Sequence, residues 1–299
     1  MTSDAVVGSF PSPADGLHLT TYRWAGVPGR PLGVVQVAHG LAEHGRRYAR
    51  LAAALNAAGF TVAANDHRGH GSSTGEGVPL GGFGAAGFEG FVADIARHGE
   101  LLHEEFPGLP VFLLAHSLGS MGAQNVLLEH PGLYAGVVLS GSTSLDGLVD
   151  VVRSLPADQP GLAAFNAPFE HRTGFEWLSR DEAEVDAYVA DPLCGFPTED
   201  AILAGALATA GATADPARLA AIGPDLPVLV VSGADDPVGG TGGELLVRLA
   251  ERYRAAGLRD VTLEVLPGAR HEVFNETNRE EVTALVVSWL RERAAARST

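Results

Sequence analysis

Ser117 stands where a chain can expose a nucleophile. The run Val111-Phe112-Leu113-Leu114-Ala115-His116 reads as an apolar strand, and Ser117-Leu118-Gly119-Ser120 turns it directly into a helix. Such a strand-to-helix elbow lifts a serine hydroxyl clear of the sheet edge. The N-terminus of the following helix aims backbone N–H groups at negative charge developing beside it. The usual pattern is G-x-S-x-G; here Ala115 takes the first glycine position and Gly119 the second. Only residues with almost no side chain fit where helix and strand approach closely, so alanine is a mild departure.

An acid and a base follow on separate strand tips. Pro227-Val228-Leu229-Val230-Val231-Ser232-Gly233 is a short apolar run ending in a turn, with Ala234-Asp235-Asp236-Pro237-Val238 directly after it. Val261 to Leu266 alternates and is rich in β-branched residues, and Pro267-Gly268-Ala269-Arg270-His271 then turns the chain and presents a histidine. A serine hydroxyl is a poor nucleophile at neutral pH. His271 would therefore take its proton during attack on an acyl carbon and return it to the leaving group, oriented by a carboxylate. Either Asp235 or Asp236 supplies that carboxylate; Asp236 is favoured because the residue before a proline is held extended. The backbone N–H of Leu118, next to the serine, supplies one donor for the oxyanion.

Taken singly, each residue has a plainer explanation: a serine after a strand is more often a turn residue, and an aspartate near a turn more often a cap. Most of the 11 histidines need no active-site role either. The joint placement at successive strand ends, in the order Ser, Asp, His, outweighs these, and that order is the one expected of an α/β-hydrolase.

The elements that must position these groups alternate along the chain. Strands are expected at Leu17 to Trp24, Gly33 to Ala38, Phe60 to Asn65 and Gly136 to Leu139. Helices are expected at Arg46 to Ala58, Phe88 to Phe106, Ser117 to His130, Gly243 to Ala256 and Arg279 to Ala296. This predicts an α/β fold with a mostly parallel, doubly wound sheet. From Ser142 to about Asp215 the alternation stops, and Pro156, Pro160, Pro168, Pro192 and Pro197 break helical fragments. The expectation is a helical cap over residues 142–215, dividing the core into 1–141 and 216–299. Leu145, Leu148, Phe165, Phe169, Phe175, Trp177 and Leu178 give the cap apolar bulk. Packing onto the core accounts for most of it, and the remainder points to an apolar substrate portion.

Composition bounds the alternatives. With 299 residues, 46% hydrophobic and 19% charged, the chain can bury one large core and an insertion. Its single cysteine, Cys194, forms no internal disulfide, so nothing demands an oxidising compartment. Met1 to Gly16 lacks the pattern of a secretory signal, and no run approaches the ~20 apolar residues of a membrane span; the expectation is a soluble, cytoplasmic protein with no integral membrane segment. A formal charge of −16 disfavours nucleic acid as a partner. Gly82 to Gly87 satisfies G-x-G-x-x-G but follows no strand. Gly239 to Gly243 has no lysine after it and reads as a flexible stretch beside the acid loop, and no H-E-x-x-H pair occurs. No metal or organic cofactor is implied.

Four ordered blocks carry a resemblance. They are His39-Gly40-Leu41-Ala42-Glu43-His44 with Arg47-Tyr48, Asp66-His67-Arg68-Gly69-His70-Gly71-Ser72, the serine elbow, and Asp236-Pro237-Val238 with Arg270-His271-Glu272. Together they span most of the chain outside the cap. The chain resembles the α/β-hydrolase branch of monoacylglycerol lipases and bacterial lysophospholipases, labelled serine aminopeptidase S33 or Hydrolase 4. Ser120 departs from it where relatives often have a second glycine. The resemblance implies that the acid is the residue immediately before Pro-Val, Asp236, and that the N–H of Leu41 is the second oxyanion donor. It also implies a cofactor-independent carboxylic-ester hydrolase whose partner is a small lipophilic ester, a monoacylglycerol, lysophospholipid or similar single-chain substrate. The Asp66 to Ser72 block reads as a shaped turn with no catalytic role. Two alternatives stand beside this: the same triad acting on an amide, thioester or xenobiotic ester, or a non-catalytic binding scaffold. The oligomeric state stays open.

Overall fold

Eight strands form one sheet. In the computed structural model, which describes residues 5–24, 29–154 and 161–297, they are β1 (Val6–Pro11), β2 (His18–Trp24), β3 (Gly33–Ala38), β4 (Phe60–Asn65), β5 (Val111–His116), β6 (Gly136–Ser140), β7 (Val228–Gly233) and β8 (Val261–Leu266). Their spatial order is β1-β2-β4-β3-β5-β6-β7-β8. β1 with β2 and β2 with β4 are antiparallel, and every other pair is parallel. The mostly parallel, doubly wound sheet expected from the alternation is borne out. β1 was not anticipated: Val6 and Val7 are exposed on the sheet edge, so the segment shows little of the apolar alternation by which a strand is read.

The helices are α1 (Ala49–Ala57), α2 (Gly87–Glu105), α3 (Leu118–Glu129), α4 (Leu145–Ser154), α5 (Glu182–Ala190), α6 (Asp200–Ala208), α7 (Ala210–Ala214), α8 (Pro216–Ala220), α9 (Glu244–Ala255) and α10 (Arg279–Ala296). The helix expected from Arg46 begins instead as a tight 3-10 turn, Gly45–Tyr48, before α1. Because side chains alternate across a strand, β5 divides its apolar run between two cores. Val111, Leu113 and Ala115 pack under α2, α3 and α9, while Phe112 and Leu114 pack with Leu51, Leu55, Val286 and Leu290 of α1 and α10. Burial on both faces explains why β3 to β7 read as mostly apolar runs, with few polar residues such as Gln36 and Thr61 among them.

Register brings the functional loops to one edge. Ala38 pairs with Ala115, His116 with Ser140, and Gly233 with Leu266. The segments leaving β3, β5, β6, β7 and β8 therefore emerge together at the carboxyl ends of the strands, where open α/β sheets hold their sites. Helices α4 to α8 lie between β6 and β7 in sequence. Leu145, Leu148, Phe165, Trp177 and Leu178 of this helical insertion are buried in the same cluster as the sheet face below them. Pro156 and Pro160 lie outside the described residues. Among the described residues no helix is long and apolar enough to cross a membrane.

The Asp66 to Ser72 block is a turn built from buried charge. Asp66 accepts hydrogen bonds from Tyr22 Oη (2.8 Å), the backbone N–H of Gly45 (2.9 Å) and that of Ser72 (2.8 Å). Arg68, fully buried, donates to Asp94 (2.8 Å), Asp15 (2.9 Å), Ser12 Oγ (2.8 Å) and the Phe83 carbonyl (3.1 Å). Removing one member of a buried ion pair leaves an uncompensated charge, which costs about 3–5 kcal/mol. Urea unfolding of Arg68→Met is expected to show a loss of that order, and the double variant Arg68→Met/Asp94→Leu to recover most of it. A loss under about 1 kcal/mol in the single variant would remove Arg68 from this role.

Candidate active site

Ser117 sits between β5 and α3 with φ 51° and ψ −118°, a left-handed backbone that non-glycine residues rarely adopt. Such a residue stores about 1–3 kcal/mol, so its surroundings must over-determine it. Its N–H donates to the Ser140 carbonyl (2.9 Å), and its carbonyl accepts from the Met121 N–H (3.0 Å) and the Ser120 hydroxyl (2.7 Å). Ser120, a departure from the family pattern, thus adds a bond that the glycine cannot make. Gly119 is required by contact: a Cβ there would lie 2.3 Å from the Ala38 carbonyl oxygen and 2.6 Å from that of His39. The buried Ala115, on β5 two residues before Ser117, is accommodated opposite Ala38.

The acid loop leaves β7. Asp236 caps the turn Pro237–Gly239 by accepting from the Val238 N–H (2.9 Å), takes a hydrogen bond from Ser232 Oγ (2.6 Å), and meets His271 Nδ1 at 2.9 Å. Asp235 is exposed and engages the protein through its N–H, which donates to the Ala269 carbonyl. Of the two aspartates, Asp236 is the one brought to His271. Burial would push its carboxyl up, but the His271 charge and these three donors outweigh that and hold it below the usual range. The Gly239 to Gly243 stretch, expected to be flexible, is two tight turns whose left-handed glycines at 240, 242 and 243 lead the chain into α9.

His271 is buried between two rings, His116 and Trp177, each with its centroid 4.7 Å away. Burial opposes its charged form, yet the charge and hydrogen bond of Asp236, helped by Glu272 and Glu43, raise its pKa above the ordinary 6.5. His116, by contrast, is lowered by burial to about 4 and stays neutral. With Nδ1 on Asp236, His271 Nε2 makes no hydrogen bond among the described residues, and none joins it to the Ser117 hydroxyl. Gly141, following β6, gives the rings room: a Cβ there would lie 2.6 Å from His116 Cε1 and 3.0 Å from His271 Cε1.

The segment after β3 lies against the elbow. The His39 carbonyl accepts from Gly119 N–H (3.1 Å) and from His67 Nε2 (3.1 Å), while His39 Nε2 accepts from the His67 N–H (2.9 Å). These partners assign the His39 proton to Nδ1; burial, with neighbouring histidine charge, holds both rings far below the ordinary histidine pKa. Ala42 adopts φ 54°, and its carbonyl accepts from Tyr188 Oη (2.8 Å) and the Gly195 N–H (2.9 Å) of the helical insertion. The Leu118 N–H, first in α3, has no intrahelical partner. That of Leu41 takes no backbone acceptor among the described residues.

Sequence reasoning gave no role to the ion group behind this segment. Glu43 accepts from the Gly40 N–H (2.5 Å) and Tyr48 Oη (2.9 Å), and Arg47 bridges Glu43 (2.6 Å) and both oxygens of Glu272 (2.6 and 2.8 Å). Burial raises both carboxyls, but the arginine outweighs it and both end lowered. Glu43 precedes the Gly45–Tyr48 turn, so its four-residue spacing from Arg47 is not a helical pairing, and Glu272, 225 residues from Arg47, offered only its place beside His271. The insertion also touches this end: the His271 and Glu272 N–H groups donate to the Trp177 (3.3 Å) and Leu178 (2.7 Å) carbonyls.

Comparison with known proteins agrees with this architecture. The family model described as serine aminopeptidase, S33, matches residues 29–278. The chain is 38% identical over 270 residues to the monoacylglycerol lipase of Mycolicibacterium smegmatis, covering 87% of this chain and 88% of that one. It is 32% identical over 302 residues to the monoglyceride lipase of Homo sapiens, covering 96% and 91%. It is also similar to the crystal structure of a highly thermostable carboxyl esterase from Bacillus coagulans in complex with glycerol, at 26% identity and TM-score 0.84, covering 98% and 100%. With a family model spanning most of its length and such relatives covering nearly all of it, the chain belongs to the serine aminopeptidase S33 family of α/β-hydrolases.

Proposed function

We propose that this protein hydrolyses carboxylic esters of lipophilic single acyl chains, monoacylglycerols foremost, through an acyl-enzyme on Ser117. The observation that carries the reading is the 2.9 Å contact of Asp236 with His271 Nδ1, which leaves Nε2 as a base on the edge that bears the strained Ser117. His271 takes the Ser117 proton as Oγ attacks the ester carbonyl, and the tetrahedral oxyanion is met by the N–H groups of Leu118 and Leu41. The imidazolium, stabilised by Asp236, then protonates the departing alcohol, and water reverses the sequence to release the acid. Apart from the ester and one water, every group used in these steps belongs to the chain.

The relatives named monoacylglycerol and monoglyceride lipases support the substrate class. Residues 142–215, packed on the sheet through Phe165, Trp177 and Leu178, serve as an apolar cap over the acyl chain. Arg47 holds the Leu41 segment and the His271 loop in one register through Glu43 and Glu272, so it is a positioning residue. The free, buried Cys194 fits a cytoplasmic location.

Three measurements test these roles. Turnover of p-nitrophenyl esters and 1- and 2-monoacylglycerols is expected to fall by about 10⁶-fold in Ser117→Ala and His271→Ala. It should fall by about 10,000-fold in Asp236→Asn and stay near wild type in Asp235→Asn; a reversal of the two aspartates, or full activity in Ser117→Ala, overturns the assignment. The pH profile of kcat/KM gives a second test. Attack needs neutral His271, whose pKa is raised, so the acid limb should have its midpoint above 6.5, and in Asp236→Asn it should move to lower pH. Third, Arg47→Met is expected to lower kcat by about 100-fold with little change in KM, the pattern of a lost transition-state contact; an effect confined to KM would mean that Arg47 shapes the binding site instead.

A further inference from the structure

Outside the Ser117, Asp236 and His271 group, three other ligating side chains converge where the segment after β3 meets the helical insertion. His44 follows Glu43 in that segment; Asp191 and Cys194 lie just beyond α5. His44 Nε2 and Asp191 Oδ2 are 3.0 Å apart, and with Cys194 Sγ all three ligand atoms fall within 4.8 Å of one another. The turn carrying two of them is fixed: the Leu193 N–H donates to Asp191 Oδ1 (2.9 Å) and the Cys194 N–H to the Asp191 carbonyl (3.0 Å). No short sequence motif shows this, because His44 and Asp191 are 147 residues apart.

We infer that His44, Asp191 and Cys194 form a binding site for a borderline divalent cation of the zinc class. One imidazole, one carboxylate and one thiolate are the donors such ions take, with a fourth position left for water. Metal–ligand distances of about 2.0–2.3 Å place neighbouring donors about 3.5 Å apart in a tetrahedron, a value that the 3.0 Å between His44 and Asp191 and the 4.8 Å bound on all three atoms accommodate with small side-chain adjustments. The Asp191 side chain, 34% exposed, opens the site to solvent, while His44 and Cys194 are buried behind it. Arg47 does not bar a cation, since Glu43 and Glu272 already match its charge.

Binding is a proton-for-metal exchange. The Cys194 S–H bond breaks, a sulfur–metal bond forms, and the proton passes to solvent; burial keeps the free thiol protonated until then. The proton shared by His44 Nε2 and Asp191 moves to His44 Nδ1, a buried atom with no partner among the described residues, as Nε2 turns its lone pair to the cation. An occupied site ties residue 44 to residues 191–194, the same two segments that the Ala42 carbonyl joins through Tyr188 and Gly195.

Cobalt(II) titration of the full, reduced chain tests the site without turnover, so its outcome is independent of the hydrolase reading. Because Cys194 is the chain's single cysteine, a thiolate-to-cobalt charge-transfer band in the near ultraviolet can arise only here. The expected result is a saturable band that zinc displaces, that Cys194→Ser abolishes, and whose apparent affinity falls by at least about 10-fold in His44→Gln and in Asp191→Asn. Circular dichroism of each variant checks that it is folded, and should His44→Gln unfold, Asp191→Asn alone carries the comparison. No band at millimolar cobalt with folded wild type, or a band indifferent to Asp191→Asn, overturns the proposal.

Discussion

The first turn of α3 comes so close to the end of β3 that only a hydrogen atom fits between them at Gly119, with two carbonyl oxygens inside 2.7 Å of where a Cβ would stand. That approach is the constraint from which the rest follows. It forces the turn at Ser117 into a left-handed backbone, lets the Gly119 N–H reach the His39 carbonyl, and sets the Leu41 segment beside the elbow. The same His39 carbonyl is held from its other side by His67, whose ring centroid lies 4.0 Å from that of His39 with the planes tilted by 32°. A strained residue persists only where several independent contacts insist on it, and Ser117 has them in its own N–H, its own carbonyl and its neighbour.

Buried charge then fixes what packing leaves free. Apolar contacts are tolerant of small sliding motions, whereas a bidentate guanidinium is not. Arg47 joins a carboxylate from one loop to a carboxylate from another, and Arg68 joins the Asp66 turn to α2 through Asp94. Neither group is a strong source of net stability, because desolvating the ions costs about what their attraction returns. Their contribution is relative placement: loops that leave different strands are held to one geometry within the length of a hydrogen bond.

Much of this was readable from residue order, for identifiable reasons. Central parallel strands are buried on both faces, so β3, β4, β5 and β7 appear as predominantly apolar runs, and the elbow and the two strand-tip turns carry small or turn-forming residues that leave few other conformations. Edge strand β1 left no such trace, since exposed valines beside polar residues look like any loop. Asp235 and Asp236 were separated by the proline rule and the family pattern; the structure shows the physical difference, one carboxylate buried on His271 and its neighbour exposed. The ion group around Arg47, the packing of Trp177 against His271 and the left-handed Ala42 were illegible because each depends on residues far apart in the chain or on a backbone angle that alanine does not advertise.

The helical insertion begins at the end of β6 and returns to the start of β7, and these strands are hydrogen-bonded neighbours. Both ends of the insertion are therefore anchored on adjacent parallel strands, one at the carboxyl end of β6 and the other at the amino end of β7, and the sheet does not register how much chain lies between them. Lengthening a loop costs only about 0.6 kcal/mol for each doubling, while a single methyl group at Gly119 meets two carbonyl oxygens. The roof over the site can thus be rebuilt by insertion and deletion at logarithmic cost, whereas its floor resists change by hard contact. In a lineage built on this chain, new substrates would be won by remodelling the roof, with the chemistry beneath inherited unaltered.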